Sequence, residues 1–118
     1  MKKMTLLGAL IALVLVVFPV ASARATQCDE VTIYYEFYGF NGLLAEMETG
    51  TPSPRTIFYT HNGANPTHNG ATPGSGTFIY YGEIPIPYGT RRHYTALCYK
   101  EGYEDSNVTN EWIANPPD

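Results

Sequence analysis

The sequence predicts an all-β protein, an antiparallel β-sandwich of six to seven short strands behind an N-terminal signal peptide. Three observations carry this reading. Past the leader, no segment places apolar side chains at helical spacing. Turn residues recur about every 8–12 positions, the punctuation of short antiparallel strands. The intervals between them are rich in strand formers, with ten tyrosines and five phenylalanines in 118 residues. At this length one domain is the expectation and a large enzyme fold is excluded. With 44% hydrophobic and only 15% charged residues, disorder is excluded as well.

Residues 1–25 read as the leader. Met1-Lys2-Lys3 is a positive n-region, Met4 to Ala23 is uncharged, and small residues follow. Two small-x-small frames are present, Ala21-Ser22-Ala23 and Ala23-Arg24-Ala25. The second is preferred and starts the mature chain at Thr26. Pro19 and the Ala-Ser-Ala end favour cleavage; an uncleaved leader would anchor the chain in a membrane. The expected location is therefore secreted, extracellular or periplasmic. Cleavage leaves Arg55, Arg91, Arg92 and Lys100 against 11 carboxylates, which takes the net charge from −4 to −7. A surface this acidic repels phosphate backbones and anionic lipid, so nucleic acid and peripheral membrane are not expected partners.

In an oxidising compartment the only two cysteines, Cys28 and Cys98, are expected to pair. Closing a loop of this length stabilises by about 4–5 kcal/mol in the chain-entropy model. The alternative leaves Cys98 as a buried small hydrophobe and Cys28 in a frayed terminus.

The sandwich is expected over residues 26–114, with a polar tail at 115–118. Val31 to Tyr38 alternates, with Val31, Ile33, Tyr35 and Phe37 on the inward face. Leu43 to Thr49 is a weaker strand with Glu46 and Glu48 on one face. Arg55 to Thr60 turns Ile57 and Tyr59 inward. From His61 to Gly76 turn residues dominate and no apolar side chain exceeds alanine, which predicts a surface loop. Thr77 to Ile86 reads as one strand, with Phe78, Tyr80, Ile84 and Ile86 on one parity and a bulge at Gly82. Pro85 and Pro87 confine its end to a sheet edge. Arg91 to Lys100 places Tyr94, Ala96 and Cys98 inward, and Asn107 to Ile113 closes the series.

Three ordered segments resemble a known family. Ile57-Phe58-Tyr59-Thr60-His61-Asn62-Gly63-Ala64-Asn65-Pro66-Thr67, then Tyr80-x-Gly82-x-Ile84-x-Ile86, then Ala96-Leu97-Cys98-Tyr99-Lys100-Glu101-Gly102-Tyr103-Glu104-Asp105-Ser106-Asn107-Val108 are similar to segments of the chitobiase/β-hexosaminidase C-terminal-type domain. The resemblance implies an immunoglobulin-like sandwich, non-catalytic and usually appended to secreted glycoside hydrolases. Asn62 stands where the family usually has Asp, and Cys98 where it usually has Ala.

With that resemblance, the aromatic surplus makes polysaccharide or surface glycan the favoured ligand class. By parity Tyr34, Tyr38, Phe58, Tyr81 and Tyr99 point away from the core, and Tyr34, Tyr38, Tyr81 and Tyr99 are the first binding candidates. The competing reading is cross-strand aromatic pairing, with a protein partner or a spacer role. His61, His68 and His93 match no zinc spacing and read as exposed loop histidines. Glu101, Glu104 and Asp105 form an acidic turn without the alternation of a calcium loop. No metal or cofactor is expected. Glu46 and Glu48, about 7 Å apart by the strand rise, are the one carboxylate pair with glycosidase-like spacing, and they read as a solvated edge. Gly74-Ser75-Gly76 lacks a nucleophile elbow. Asn107-Val108-Thr109 is a glycosylation sequon in a eukaryotic host.

Overall fold

The computed structural model describes residues 26–39 and 42–116; the leader expected at 1–25 and the last two residues of the expected tail lie outside them. Among the described residues there is no helix. The described residues form nine strands: β1 (Val31–Tyr38), β2 (Gly42–Thr49), β3 (Thr56–Thr60), β4 (His68–Asn69), β5 (Thr72–Pro73), β6 (Phe78–Ile79), β7 (Ile84–Pro85), β8 (Thr90–Tyr99) and β9 (Thr109–Asn115). They form three antiparallel sheets, ordered β1-β2-β7, β6-β3-β8-β9 and β4-β5.

The two larger sheets share one apolar cluster. Val31, Leu43, Ala45 and Met47 come from the first sheet, and Ile57, Tyr94, Ala96, Cys98 and Ile113 from the second. Strand parity explains the set, because every second side chain points the same way. Thr109 of β9 ties the layers by donating its hydroxyl to the Val31 carbonyl at 2.7 Å.

The expected single strand over 77–86 is two strands in different sheets. β6 pairs with β3, the chain crosses at Tyr80 to Glu83, and β7 pairs with β2. Gly82 thus marks a crossing between layers, and prolines 85 and 87 leave only a short ladder beyond it. The last strand also runs further than expected, since Asn115 belongs to β9 and is buried.

The loop at 61–76 is the second correction. It carries the β4-β5 hairpin and lies over the outer face of the β3-β8 pair. There the His68 ring stacks on Phe58 at 4.8 Å. Phe58 does point away from the shared core, as parity requires, yet it is fully buried, and Leu97 beside it is 5% exposed. Polar side chains and backbone hold the loop down. Gly63 N–H donates to the His93 carbonyl at 3.0 Å, Thr67 N–H to the Thr77 hydroxyl at 2.9 Å, and the Thr60 hydroxyl to the Ala64 carbonyl. Gly63 sits at φ +85°, and a Cβ there would come within 2.7 Å of His93 Nδ1.

A third difference concerns inward-facing aromatics. Val31 and Ile33 pack on the core, but Tyr35 and Phe37 on the same face are 45% and 63% exposed, and Phe78 is 43% exposed. These residues lie on β1 and β6, the outermost strands of their sheets.

Phe58→Ala should therefore cost about 3–5 kcal/mol in urea unfolding, as expected for a buried phenylalanine. Tyr81→Ala, at a side chain 89% exposed, should stay within about 0.5 kcal/mol. Equal effects from the two would contradict a hairpin that buries Phe58.

Candidate functional site

Two clefts each contain one of the candidate tyrosines. The larger, about 450 Å³, opens at the crossover between the layers and is lined by Tyr59, Ile79, Tyr81, Gly82, Glu83, Ile84 and Pro85. The cleft follows from the sheet switch: β6 and β7 belong to different sheets there, and the half-buried Tyr59 of β3 is part of its lining. Burial raises the Tyr59 phenol above its ordinary value, with Tyr94 adding to the rise and Arg92 opposing it. Tyr81 stands almost free of protein contact, and Glu83 supplies a carboxylate acceptor beside it.

The smaller cleft, about 230 Å³, lies between the start of β3, the hairpin tip and the end of β8. Arg55, Ala71, Tyr99, Lys100 and Glu101 are among its walls. Much of its polar chemistry is already committed. Lys100 Nζ donates to the carbonyls of Pro52 at 3.3 Å and Pro54 at 2.9 Å, and Tyr99 packs against His68 and Phe58.

The four candidate tyrosines do not converge. Tyr34 and Tyr38 share the outer face of β1, Tyr99 lies on the outer face of the other sheet, and Tyr81 sits on the crossover. Tyr34 neighbours a group of acids. Glu46 lies opposite it on β2, and Glu36, Glu48 and Glu83 are close by. Burial, a hydrogen bond with Glu36 and repulsion from Glu36, Glu83 and Glu48 together hold the Glu46 carboxyl above the usual carboxylate range. One of its oxygens, Oε2, is covered and has no hydrogen-bond partner. Glu46 thus faces Glu36 as well as its strand neighbour Glu48, a contact across the ladder that strand parity within β2 does not reveal.

His61 is an exposed loop residue as expected, whereas His68 and His93 are half-buried and lie in β4 and β8, and each of the three rings stacks on an aromatic side chain. His61 stacks on Phe78 at 5.2 Å, and His93 on Trp112 at 4.4 Å, where the Arg91 guanidinium also sits 4.4 Å from the indole. His68 Nδ1 faces the Gly70 carbonyl at 2.8 Å and Nε2 faces Asp105 Oδ2 at 2.6 Å. Both partners are oxygen atoms, so the ring is held at each of its two nitrogens. Asp105, read from sequence as one of three solvated acids, clamps the hairpin instead. Among the described residues no three metal-ligating side chains converge. Trp112, 53% exposed, was not among the sequence candidates; its outward parity on β9 was the available signal.

Cys28 and Cys98 are both buried free thiols in this structure. Cys28 is not in a frayed end: its N–H donates to the Glu104 carbonyl at 2.9 Å. Burial and the neighbouring Cys98 thiol, with which it is hydrogen bonded, push the Cys28 thiol up to about 11. Asn107 is exposed, its amide donating to Glu30 at 3.3 Å and accepting from Gln27 at 3.2 Å. Among the described residues no helix is long and apolar enough to cross a membrane.

No family model, no curated protein and no solved structure matches this chain.

The Glu46 carboxyl is raised in the folded state, so folding favours its protonated form. Its contribution to stability is present below the ordinary glutamate range and is lost as the pH rises through the folded value. Glu46→Gln should raise the thermal midpoint at pH 7 and leave it nearly unchanged at pH 3.5. Thermal melts at the two pH values check this, and an unchanged midpoint at pH 7 would contradict it.

Proposed function

We propose that this chain is an exported, non-catalytic accessory module with an immunoglobulin-like sandwich fold of the chitobiase C-terminal type, and that it binds carbohydrate at the crossover cleft. The observation that carries the site is Tyr81. An aromatic ring 89% exposed contributes little to folding, and here it lines a cleft together with a second tyrosine, Tyr59, and the carboxylate of Glu83. Apolar ring faces beside a few polar groups suit the stacking of a sugar. The cleft's volume lies within the roughly 300–1,000 Å³ of small-molecule sites. The Tyr99 cleft is the weaker candidate because its tyrosine and lysine are already engaged within the protein. A protein-interaction or spacer role is the second reading, favoured by the exposed inward face of β1.

The same reading includes a Cys28–Cys98 disulfide in the exported protein. A disulfide-bearing oxidant of the compartment would accept the two electrons and two protons as the S–S bond forms.

Pull-down against a panel of insoluble polysaccharides tests the binding site. One polymer should retain the chain, and Tyr81→Ala should weaken retention at least about tenfold, or 1.4 kcal/mol, with the melting midpoint kept. Retention unaffected by the variant would move the site elsewhere, and no retention on any polymer would favour the partner or spacer role. For the disulfide, intact mass under non-reducing conditions should fall by about 2 Da. After reduction, the folded protein should label slowly at pH 8, where a thiol at about 11 is only about 0.1% thiolate, and quickly once unfolded. An unchanged mass after export would overturn the pairing.

A further inference from the structure

We propose that the chain self-associates, β1 pairing antiparallel with β1 of a second copy about a two-fold axis at Tyr35. The argument begins with how the sheet edges are protected, since an open strand edge invites pairing with another chain. Among the described residues the two larger sheets have four outer strands, β1, β7, β6 and β9. Three of these are guarded. β7 is two residues long and ends on Pro85, with Pro87 just beyond. β6 is also only two residues long. β9 carries Glu111 opposite the core residue Tyr94, an inward-facing charge that opposes strand addition. β1 has none of these devices. It runs eight residues without proline, lysine or arginine, its single charge points outward, and no described strand pairs with its far side, where the Thr109 hydroxyl takes the Val31 carbonyl at its first residue.

β1 also carries apolar surface that the fold leaves uncovered. Tyr35 and Phe37 share the inward face, pack edge to face on each other at 5.7 Å, and remain 45% and 63% exposed. A strand added beside β1 would cover them.

The sequence of β1 is complementary to itself in one register. Directly opposed residues of an antiparallel pair share a face, so a symmetric pairing that keeps both inner faces on one side must centre on a residue. Centring on Glu36 would oppose two like charges. Centring on Tyr34 would set the exposed Phe37 against Val31, which the core already covers. Centring on Tyr35 opposes Tyr35 to its copy and Phe37 to Ile33, gathering the uncovered rings of both chains on the inner face. On the outer face it sets Glu36 against Tyr34, whose phenol can donate to the carboxylate. Because each mature chain carries a net charge of −7, added salt should strengthen the contact. This assembly is independent of the saccharide reading, because Tyr81 and its cleft lie on the crossover and not on β1.

Sedimentation velocity of the purified exported chain across a concentration series tests the proposal. A monomer–dimer equilibrium is expected, with dimer increasing from 50 to 500 mM salt, conditions of roughly 14 and 4 Å Debye length. Tyr35→Lys places an inward charge on the edge and should abolish the dimer with circular dichroism and melting midpoint retained. Tyr35→Cys should oxidise to a covalent dimer, and Tyr88→Cys, at an exposed position away from β1, should not. A chain that stays monomeric throughout, or a dimer insensitive to Tyr35→Lys, would overturn the proposal.

Discussion

Burial of β8 on both of its faces is the constraint on which the rest of this fold depends. Tyr94 through Cys98 are five consecutive buried residues. Tyr94, Ala96 and Cys98 meet the first sheet, while Leu97, beside Phe58, needs a cover on the opposite side. A strand in an antiparallel sheet commonly has one wet face, and this one has none. The segment from His61 to Thr77 supplies the second cover, and it does so with few apolar atoms of its own. It relies on one stacked imidazole, the 2.6 Å contact of that ring with Asp105, and backbone hydrogen bonds at Gly63, Thr67 and Gly74. Asn62 closes its own turn, its Oδ1 accepting from the Ala64 N–H at 3.0 Å.

Much of this architecture was legible in the sequence. The limits of β1, β2, β3 and β8 follow from alternation and turn residues to within about a residue or two, and the inward set Ile57, Tyr94, Ala96 and Cys98 is the set the core uses. Alternation failed where a strand's environment departs from one buried face and one wet face. Phe58 is buried on the outer side because the loop that follows β3 folds back over it, a contact that strand parity does not encode. Tyr35 and Phe37 have core parity and no core, because they sit on an outer strand. The 77–86 segment keeps one parity while changing sheets, so its two pieces look continuous until their partners are known.

The site was less legible, for a related reason. Tyr34, Tyr38, Tyr81 and Tyr99 were correctly expected to point away from the core, but outwardness in a two-layer protein has two opposite directions. Only topology separates β1 from the end of β8. Tyr99 is outward and yet already engaged, since the hairpin brings His68 onto it; Tyr81 is outward and free because it lies on the crossover rather than in a ladder. The acid pairing across β1 and β2 likewise required the register that sets Tyr34 against Glu46 and brings Glu36 within reach.

The bridge between Gln27 and Glu104 also bears on how the module carries tension. Two backbone hydrogen bonds, from Cys28 N–H to Glu104 at 2.9 Å and from Glu104 N–H to Thr26 at 2.8 Å, clip the entering chain alongside the turn that follows β8. The two segments run parallel there. A pull on the entering chain along its own direction would load both bonds together in shear, rather than unzip them one at a time. Cys28 lies immediately inside this clip, beside Cys98 of the most deeply buried strand, so load passing the clip meets the centre of the protein before it reaches β1.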